Sequence, residues 1–266
     1  MIFETHAHYE DEAFDTDRRE LLESLPGNNI EFAVNISSGF NTIDQSINLA
    51  NTYEYIYASV GIHPEFTAEM NEEKLLWLKE KAKHPKVVAV GEIGLDYYWD
   101  TPDRKTQKIW FARQMEMAEE IDKPLVIHSR DAANDSFNML KEAKVREKGA
   151  IIHCFGYGVE QARQYLNMGF YLGIGGVITF ANGRKLKEVV TYAPLEQLVL
   201  ETDSPYLSPV PNRGKRNSSL NLPYIAKEIA KIKNIDYDTV VRVTNKNAKE
   251  FYFKTKGTED GKARES

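Results

Sequence analysis

The chain has 266 residues, with 34 Lys and Arg against 40 Asp and Glu, a formal charge of −6 and a pI near 5.6. That balance excludes a protein that coats nucleic acid through a broad basic surface, while leaving room for local contacts to a few phosphates. The single cysteine, Cys154, excludes an internal disulfide and suits a reducing compartment. The apolar runs are too short to cross a membrane, and a strand begins almost at the first residue with no secretory pattern ahead of it, so cytoplasm is the expected location. No linker or repeat interrupts the sequence. We therefore expect one domain over residues 1–253, no obligate protein partner, and a polar, disordered tail over 254–266.

Short β-type runs alternate with helical patterns, the signature of βα units around a parallel sheet. In chain order the runs are Ile2–His6, Phe32–Ile36, Ile56–Ile62, Val87–Ile93, Pro124–His128, Ala150–Cys154, Tyr171–Ile174 and Gln197–Thr202. Between the fourth and fifth, Phe111, Met115 and Ala118 recur at helical spacing within 104–121, and 159–168 is a further amphipathic segment. After the eighth run, Leu222, Ile225, Ile229 and Ile232 mark a helix, and Val241, Ala248 and Tyr252 form one stripe of another over 237–253. Eight such units predict a closed (β/α)8 TIM barrel, whose active sites gather where the strands end. A doubly wound open sheet is the alternative, but it does not naturally bring the first and eighth strands to one site.

The ionisable residues follow that rim. His6 and His8 project from one face of the first strand, about 7 Å apart along it, with Glu4 one layer deeper. His63 follows the third run, Glu92 ends the fourth, His128 closes the fifth, His153 lies near the end of the sixth, and Asp203 follows the eighth. His84, before Pro85, falls in a loop and reads as a surface residue. Taken singly, each has a plain explanation: His128 and His153 as core histidines, Glu92 as the start of a glycine-rich loop, Asp203 as a turn residue before Ser204-Pro205. Taken together, they share one end of one barrel. Burying Glu4, Glu92, Glu201 and Asp203 near one another costs several kcal/mol per uncompensated charge unless they are paired or bind cations. Two divalent ions resolve that cost, one held by His6, His8, Glu92 and Asp203, the other by Glu92, His128 and His153. Mixed imidazole and carboxylate ligands suit Zn or Mn, with Mg favoured by its abundance.

The segments Thr5-His6-Ala7-His8, Val60-Gly61-Ile62-His63-Pro64, Gly91-Glu92-Ile93-Gly94-Leu95-Asp96, His128-Ser129-Arg130, His153-Cys154-Phe155 and Glu201-Thr202-Asp203-Ser204-Pro205-Tyr206-Leu207 resemble, in order, the motifs of the TatD-type hydrolases. The resemblance extends from about Met1 to Phe253. It implies an amidohydrolase-like barrel with divalent-metal deoxyribonuclease activity on DNA. Carried over position by position, it implies the same ligands: His6, His8, Glu92, His128, His153 and Asp203. Two positions depart from the family pattern. Glu4 stands where Asp is usual, which bears on packing more than on ligation, and Ser218-Ser219 stand where Glu-Pro is common, which bears on loop geometry and substrate preference.

For phosphodiester hydrolysis, Asp203 is the expected general base for a water activated between two ions, with Glu92 bridging them. His63 and Arg130, together with Arg213 or Arg216 from the eighth loop, are the expected phosphate-binding residues. Arg130 has a competing assignment, an ion pair with Asp131 or Asp135. Tyr97, Tyr98, Trp99, Phe155 and Tyr157 are placed to stack unpaired bases, or else to pack loops on the barrel. The acidic surface and small phosphate-binding set predict an exonuclease acting on a single strand or a frayed end. The nearest rival is a small-molecule metallohydrolase of the same barrel, cleaving an amide, lactone or phosphoester. A catalytically silent binding barrel has no need of the whole ligand set. Cys154 is set aside as a nucleophile, because strand alternation turns it outward if His153 points inward.

Overall fold

The structure, a computed structural model, describes residues 1–143, 145 and 149–253. Its strands are β1 (Ile2–Ala7), β2 (Ile30–Ile36), β3 (Ile56–Val60), β4 (Val87–Asp96), β5 (Leu125–Arg130), β6 (Ala150–Ile152), β7 (Tyr171–Ile174) and β8 (Leu198–Leu200). Each pairs in parallel with the next, in the order β1 to β8. Helices α1 (Arg18–Ser24), α2 (Phe40–Thr52), α3 (Glu72–Ala82), α4 (Arg104–Glu120), α5 (Ala133–Glu142), α6 (Val159–Asn167), α7 (Arg184–Tyr192) and α8 (Leu222–Lys233) alternate with the strands, and α9 (Tyr237–Phe253) follows. This is the expected (β/α)8 barrel. No helix among the described residues is long and apolar enough to cross a membrane. The tail 254–266 lies outside the described residues.

Local chemistry starts the helices where the periodicity does. Asp103 accepts hydrogen bonds from the Lys105 and Thr106 amides at the head of α4, and Asn71 accepts from Lys74 at the head of α3. Each satisfies amides that the first turn leaves without partners, worth about 1 kcal/mol. The strands read as apolar runs because helices cover their outer faces; β1 and β4 are buried along their whole length. Val126, Ile151 and Val199 pack in one cluster with Phe251 and Tyr252 of α9. By strand alternation they share a face with His128, His153 and Glu201 two residues on. The same inward face therefore changes from apolar to ionisable toward the strand ends.

The seam between β8 and β1 is closed by backbone contacts just past β8 together with buried side chains. It holds an isolated bridge, Ala7 to Ser204, the Asp203 amide on the His6 carbonyl at 2.9 Å and the His8 amide on the Ser204 carbonyl at 2.8 Å. Buried Glu4 completes it. Its Oε1 accepts from the amides of His6 at 3.2 Å and Thr202 at 2.9 Å, and its Oε2 from the hydroxyls of Thr202 at 2.7 Å and Ser219 at 2.9 Å. Burial pushes the Glu4 carboxyl up to about 8. Both departures from the family pattern, Glu4 and Ser219, thus meet in one hydrogen bond.

Strand ends differ from the expected ones where pairing decides them. β4 runs on to Asp96 because Gly94, Leu95 and Asp96 pair with His128, Ser129 and Arg130. β6 stops at Ile152, and Cys154 takes a left-handed backbone with φ 43°.

Candidate metal centre

The strand ends bring the ionisable residues into one cleft of about 870 Å³. His6 is fully buried on β1, and its Nε2 lies 3.2 Å from Nε2 of His8. His8 Nδ1 is 2.7 Å from the carbonyl oxygen of Ile36, at the end of β2. A carbonyl only accepts, so Nδ1 carries a proton there and Nε2 is the nitrogen left for a cation. Asp203, just past β8, places Oδ1 3.4 Å from His8 Nε2 and 3.7 Å from His6 Nε2.

Glu92 lies between two sets of histidines. Its Oε1 is 2.7 Å from His128 Nδ1 and 2.9 Å from His153 Nε2. Its Oε2 is 3.5 Å from His6 Nε2 and 4.0 Å from His8 Nε2. Gly94 makes this approach possible: a Cβ there would lie 1.9 Å from the His128 carbonyl oxygen. With φ at +148°, the position also suits glycine alone.

Charges balance within the cluster. Burial alone would raise the Glu92 carboxyl, but the His153, His128 and His6 rings outweigh it and hold the group well below the usual carboxylate range. Burial would likewise lower His153, yet the Glu92 and Glu201 carboxylates raise it well above its ordinary value. His8 is raised in the same way by Asp203 and Glu10, against burial. His6, deepest of these rings, is lowered by burial and by neighbouring His153.

Among the described residues, three groups of side chains bring cation-binding atoms within 4.8 Å of one another: His6, His8 and Asp203; His6, His153 and Glu201; and His63, Glu92 and His128. These imidazole and carboxylate donors fit divalent cations of the Zn or Mn type. The orphaned buried atoms His6 Nδ1, His153 Nδ1 and Glu201 Oε2 belong to the same residues.

His63 stands at the edge of the cluster. Its Nδ1 accepts the Glu65 amide at 3.3 Å, while its Nε2 is 3.9 Å from Glu92 Oε1. Burial and the His128 ring push it down to about 3. A neutral ring whose Nδ1 accepts holds its proton on Nε2, where it faces the cleft as a donor.

The expected phosphate-binding arginines separate. Arg130 lines the cleft, its guanidinium 3.8 Å from the centre of the Tyr98 ring, and Asp135 is taken by Lys108 and Tyr97 instead. Arg213 and Arg216 do not line the cleft. Arg216 makes two 2.6 Å bonds to the Asp17 carboxylate and lies over Phe14, while Arg213 stacks on Phe180. A bidentate carboxylate and an aromatic face already satisfy the Arg216 fork. Cys154 is a correction: it lines the cleft rather than facing outward, because β6 ends before it and the left-handed turn breaks the alternation.

Among the expected stacking residues, Trp99 and Tyr157 line the cleft, Phe155 is buried, Tyr97 bonds Asp135, and Tyr98 supports Arg130. Phe66 and Tyr206, which the sequence reading missed, also line it. Asp96 was missed as well: its Oδ2 is 3.0 Å from His128 Nε2. Its even spacing from Glu92 on a continuous strand was the available signal. His84 lies outside the cleft, within 3.5 Å of Asn51.

A family model described as TatD related DNase matches residues 3–253. Bacillus subtilis YabD, described as an uncharacterized metal-dependent hydrolase, is 41% identical over 252 residues, covering 95% of this chain and 99% of its own. A protein of Edwardsiella piscicida named 3'-5' ssDNA/RNA exonuclease TatD is 32% identical over 214 residues, covering 78% of this chain and 82% of its own. Among solved structures, the Escherichia coli TatD homologue YjjV superposes with a TM-score of 0.89 at 25% identity, over 96% of this chain and 98% of that one. Fold, ordered motifs and whole-length similarity agree, and the chain belongs to the TatD family of metal-dependent hydrolases.

Proposed function

We propose that this protein is a divalent-cation-dependent nuclease that hydrolyses phosphodiester bonds of DNA from a free end, preferring single-stranded or frayed substrate. The observation that carries the reading is the convergence of His8, Glu92, His128, His153 and Asp203 in one cleft, with buried His6 against Glu92 and Asp203, beside Arg130 and the neutral donor His63. The named activity of the Edwardsiella relative supports a nucleic-acid substrate and a 3' to 5' direction, with RNA as a second substrate to be tried.

These six side chains would hold divalent cations, which when bound would supply charge neutralisation and acidify a water beside the reacting phosphorus. Glu92, with one oxygen toward each histidine set, would be shared between the two sets of ligands. Asp203 keeps part of its side chain, 16%, open to the cleft. Its carboxyl lies well below the usual range because the His8, His153 and His6 rings outweigh burial. It accepts the proton of the attacking water. His63 Nε2–H and the Arg130 guanidinium donate to phosphate oxygens and hold phosphorus in line. Among the described residues lining the cleft, Arg130 is the one Arg or Lys, against carboxylates at Glu10, Asp11, Glu65 and Asp131. So sparse a set suits a thin strand end better than a duplex tract, and it also favours the second reading, a small phosphoester substrate.

The test uses metal-stripped protein, single-stranded DNA labelled at one end, and Mg²⁺, Mn²⁺ or Zn²⁺ added separately. Asp203→Asn, run in parallel, is expected to lose about 10²–10⁴-fold in rate. Cation-dependent shortening that is absent from the variant supports the nuclease. No shortening while bound cation is confirmed would transfer the reading to the small phosphoester.

A further inference from the structure

We propose that Glu201 is a positioning residue shared by the two inner histidines, its carboxylate accepting the Nδ1 protons of both His6 and His153. The inference rests on the divalent-cation reading above. Among the described residues, four buried side-chain atoms have no hydrogen-bond partner: His6 Nδ1, His153 Nδ1, Glu201 Oε2 and Tyr165 Oη. Three of them belong to one group, whose donor atoms lie within 4.8 Å of one another. Buried polar atoms are almost always satisfied, so three orphans in one place point to a connection that forms when the site is occupied.

The histidine geometry specifies that connection. His6 directs Nε2 toward His8, Glu92 and Asp203, and His153 directs Nε2 to Glu92 at 2.9 Å. A neutral imidazole offering its lone pair at Nε2 must carry its proton on Nδ1. Each ring then presents an N–H that needs an acceptor. His153 Nδ1 lies 3.6 Å from Glu201 Oε1, a distance that a small rotation closes. The two rings stack with centroids 3.8 Å apart and planes 16° apart, and His6, His153 and Glu201 each bring one nitrogen or oxygen within 4.8 Å of the other two, which sets the one carboxylate beside both rings.

The carboxylate is held in a built position. The Cys154 amide donates to Oε1 at 2.5 Å, tying it to the turn that follows His153. A Cβ on Gly173 would lie 2.2 Å from Oε2, so β7 leaves a notch that the carboxylate fills. Glu201 itself is fully buried and away from solvent. An acceptor on the far nitrogen fixes a ligating histidine's tautomer and ring angle, and its loss typically weakens metal affinity 10–100-fold.

The test is Glu201→Gln, which keeps the shape and removes the charge. Zinc affinity and stoichiometry are measured by competition with a chromophoric chelator, and ring N–H signals by ¹H–¹⁵N NMR of the zinc-loaded protein. The expected result is a shift of the His6 and His153 signals with His8 unmoved, since His8 Nδ1 bonds the Ile36 carbonyl. Affinity should fall about 10–100-fold with stoichiometry unchanged. Glu201→Asp withdraws the carboxylate by one methylene, gives the same pair of shifts at smaller amplitude, and stands in if Glu201→Gln does not fold. Unmoved His6 and His153 signals would overturn the proposal. So would the loss of one bound ion per chain, which would make Glu201 a cation ligand. Zinc bound in this way without DNA cleavage removes only the nuclease reading, whereas no zinc bound removes both.

Discussion

Ser219 and Glu4 are coupled, and a double-mutant cycle measures by how much. Ser219 Oγ donates to Glu4 Oε2 at 2.9 Å and accepts from the Tyr9 hydroxyl at 2.6 Å. All three residues are buried. Ser219→Ala deletes both bonds: Glu4 Oε2 keeps the Thr202 hydroxyl at 2.7 Å and Tyr9 Oη still accepts the Ser219 amide at 3.0 Å, but the buried Tyr9 O–H is left without its acceptor, which adds to the loss. At about pH 9, above the Glu4 value of about 8, a bond to the charged carboxylate is worth about 1.5–3 kcal/mol and a neutral one about 0.5–1.5, so the two bonds sum to about 2–4.5 kcal/mol. Glu4→Asp breaks the same bond from the other side by shortening the arm one methylene. The double variant should therefore fall short of the sum of the singles by about 1–3 kcal/mol. Urea unfolding of the four proteins, followed by far-UV circular dichroism in excess chelator, supplies the free energies without a contribution from cations. Additivity within about 0.3–0.5 kcal/mol would refute the idea that Ser219 compensates for Glu4.

Arg130→Ala should raise KM for single-stranded DNA about tenfold and reduce the salt slope of binding by about one, with Tyr98→Ala changing both in the same direction but less; an unchanged KM removes Arg130 from the phosphate contact. Cys154→Ser should keep activity within about threefold, because burial and the Asp203, Glu201 and Glu92 carboxylates push the thiol well above its ordinary range and away from the thiolate. A loss beyond about a hundredfold would place the sulfur in the chemistry. Chelator should lower Tm by about 5–10 °C relative to protein in cation at a hundred times Kd, the equivalent of about 2.7 kcal/mol. A Tm indifferent to both chelator and added cation would mean that the cluster binds none.

The barrel and the rim were legible before any tertiary information. Strands covered on both sides must be apolar throughout, so Val87–Ile93 and Tyr171–Ile174 announce themselves as short unbroken runs between amphipathic helices. His6, Glu92, His128, His153 and Asp203 each end or follow such a run, and a parallel barrel puts every strand end on one rim. Their meeting at a single cleft, with His6 buried against Glu92 and Asp203 rather than lining it, follows from chain order and topology. What the sequence could not supply are contacts that depend on partners far along the chain or on a single backbone angle. Arg216 reaches Asp17 and Phe14 rather than the cleft. Glu4 finds Ser219, and Glu201 fills a notch at Gly173. Cys154 enters the cleft because one backbone angle turns left-handed after β6. Periodicity is local and written in the order of residues, whereas these contacts come from closing the sheet, which brings residues some two hundred positions apart within hydrogen-bond distance.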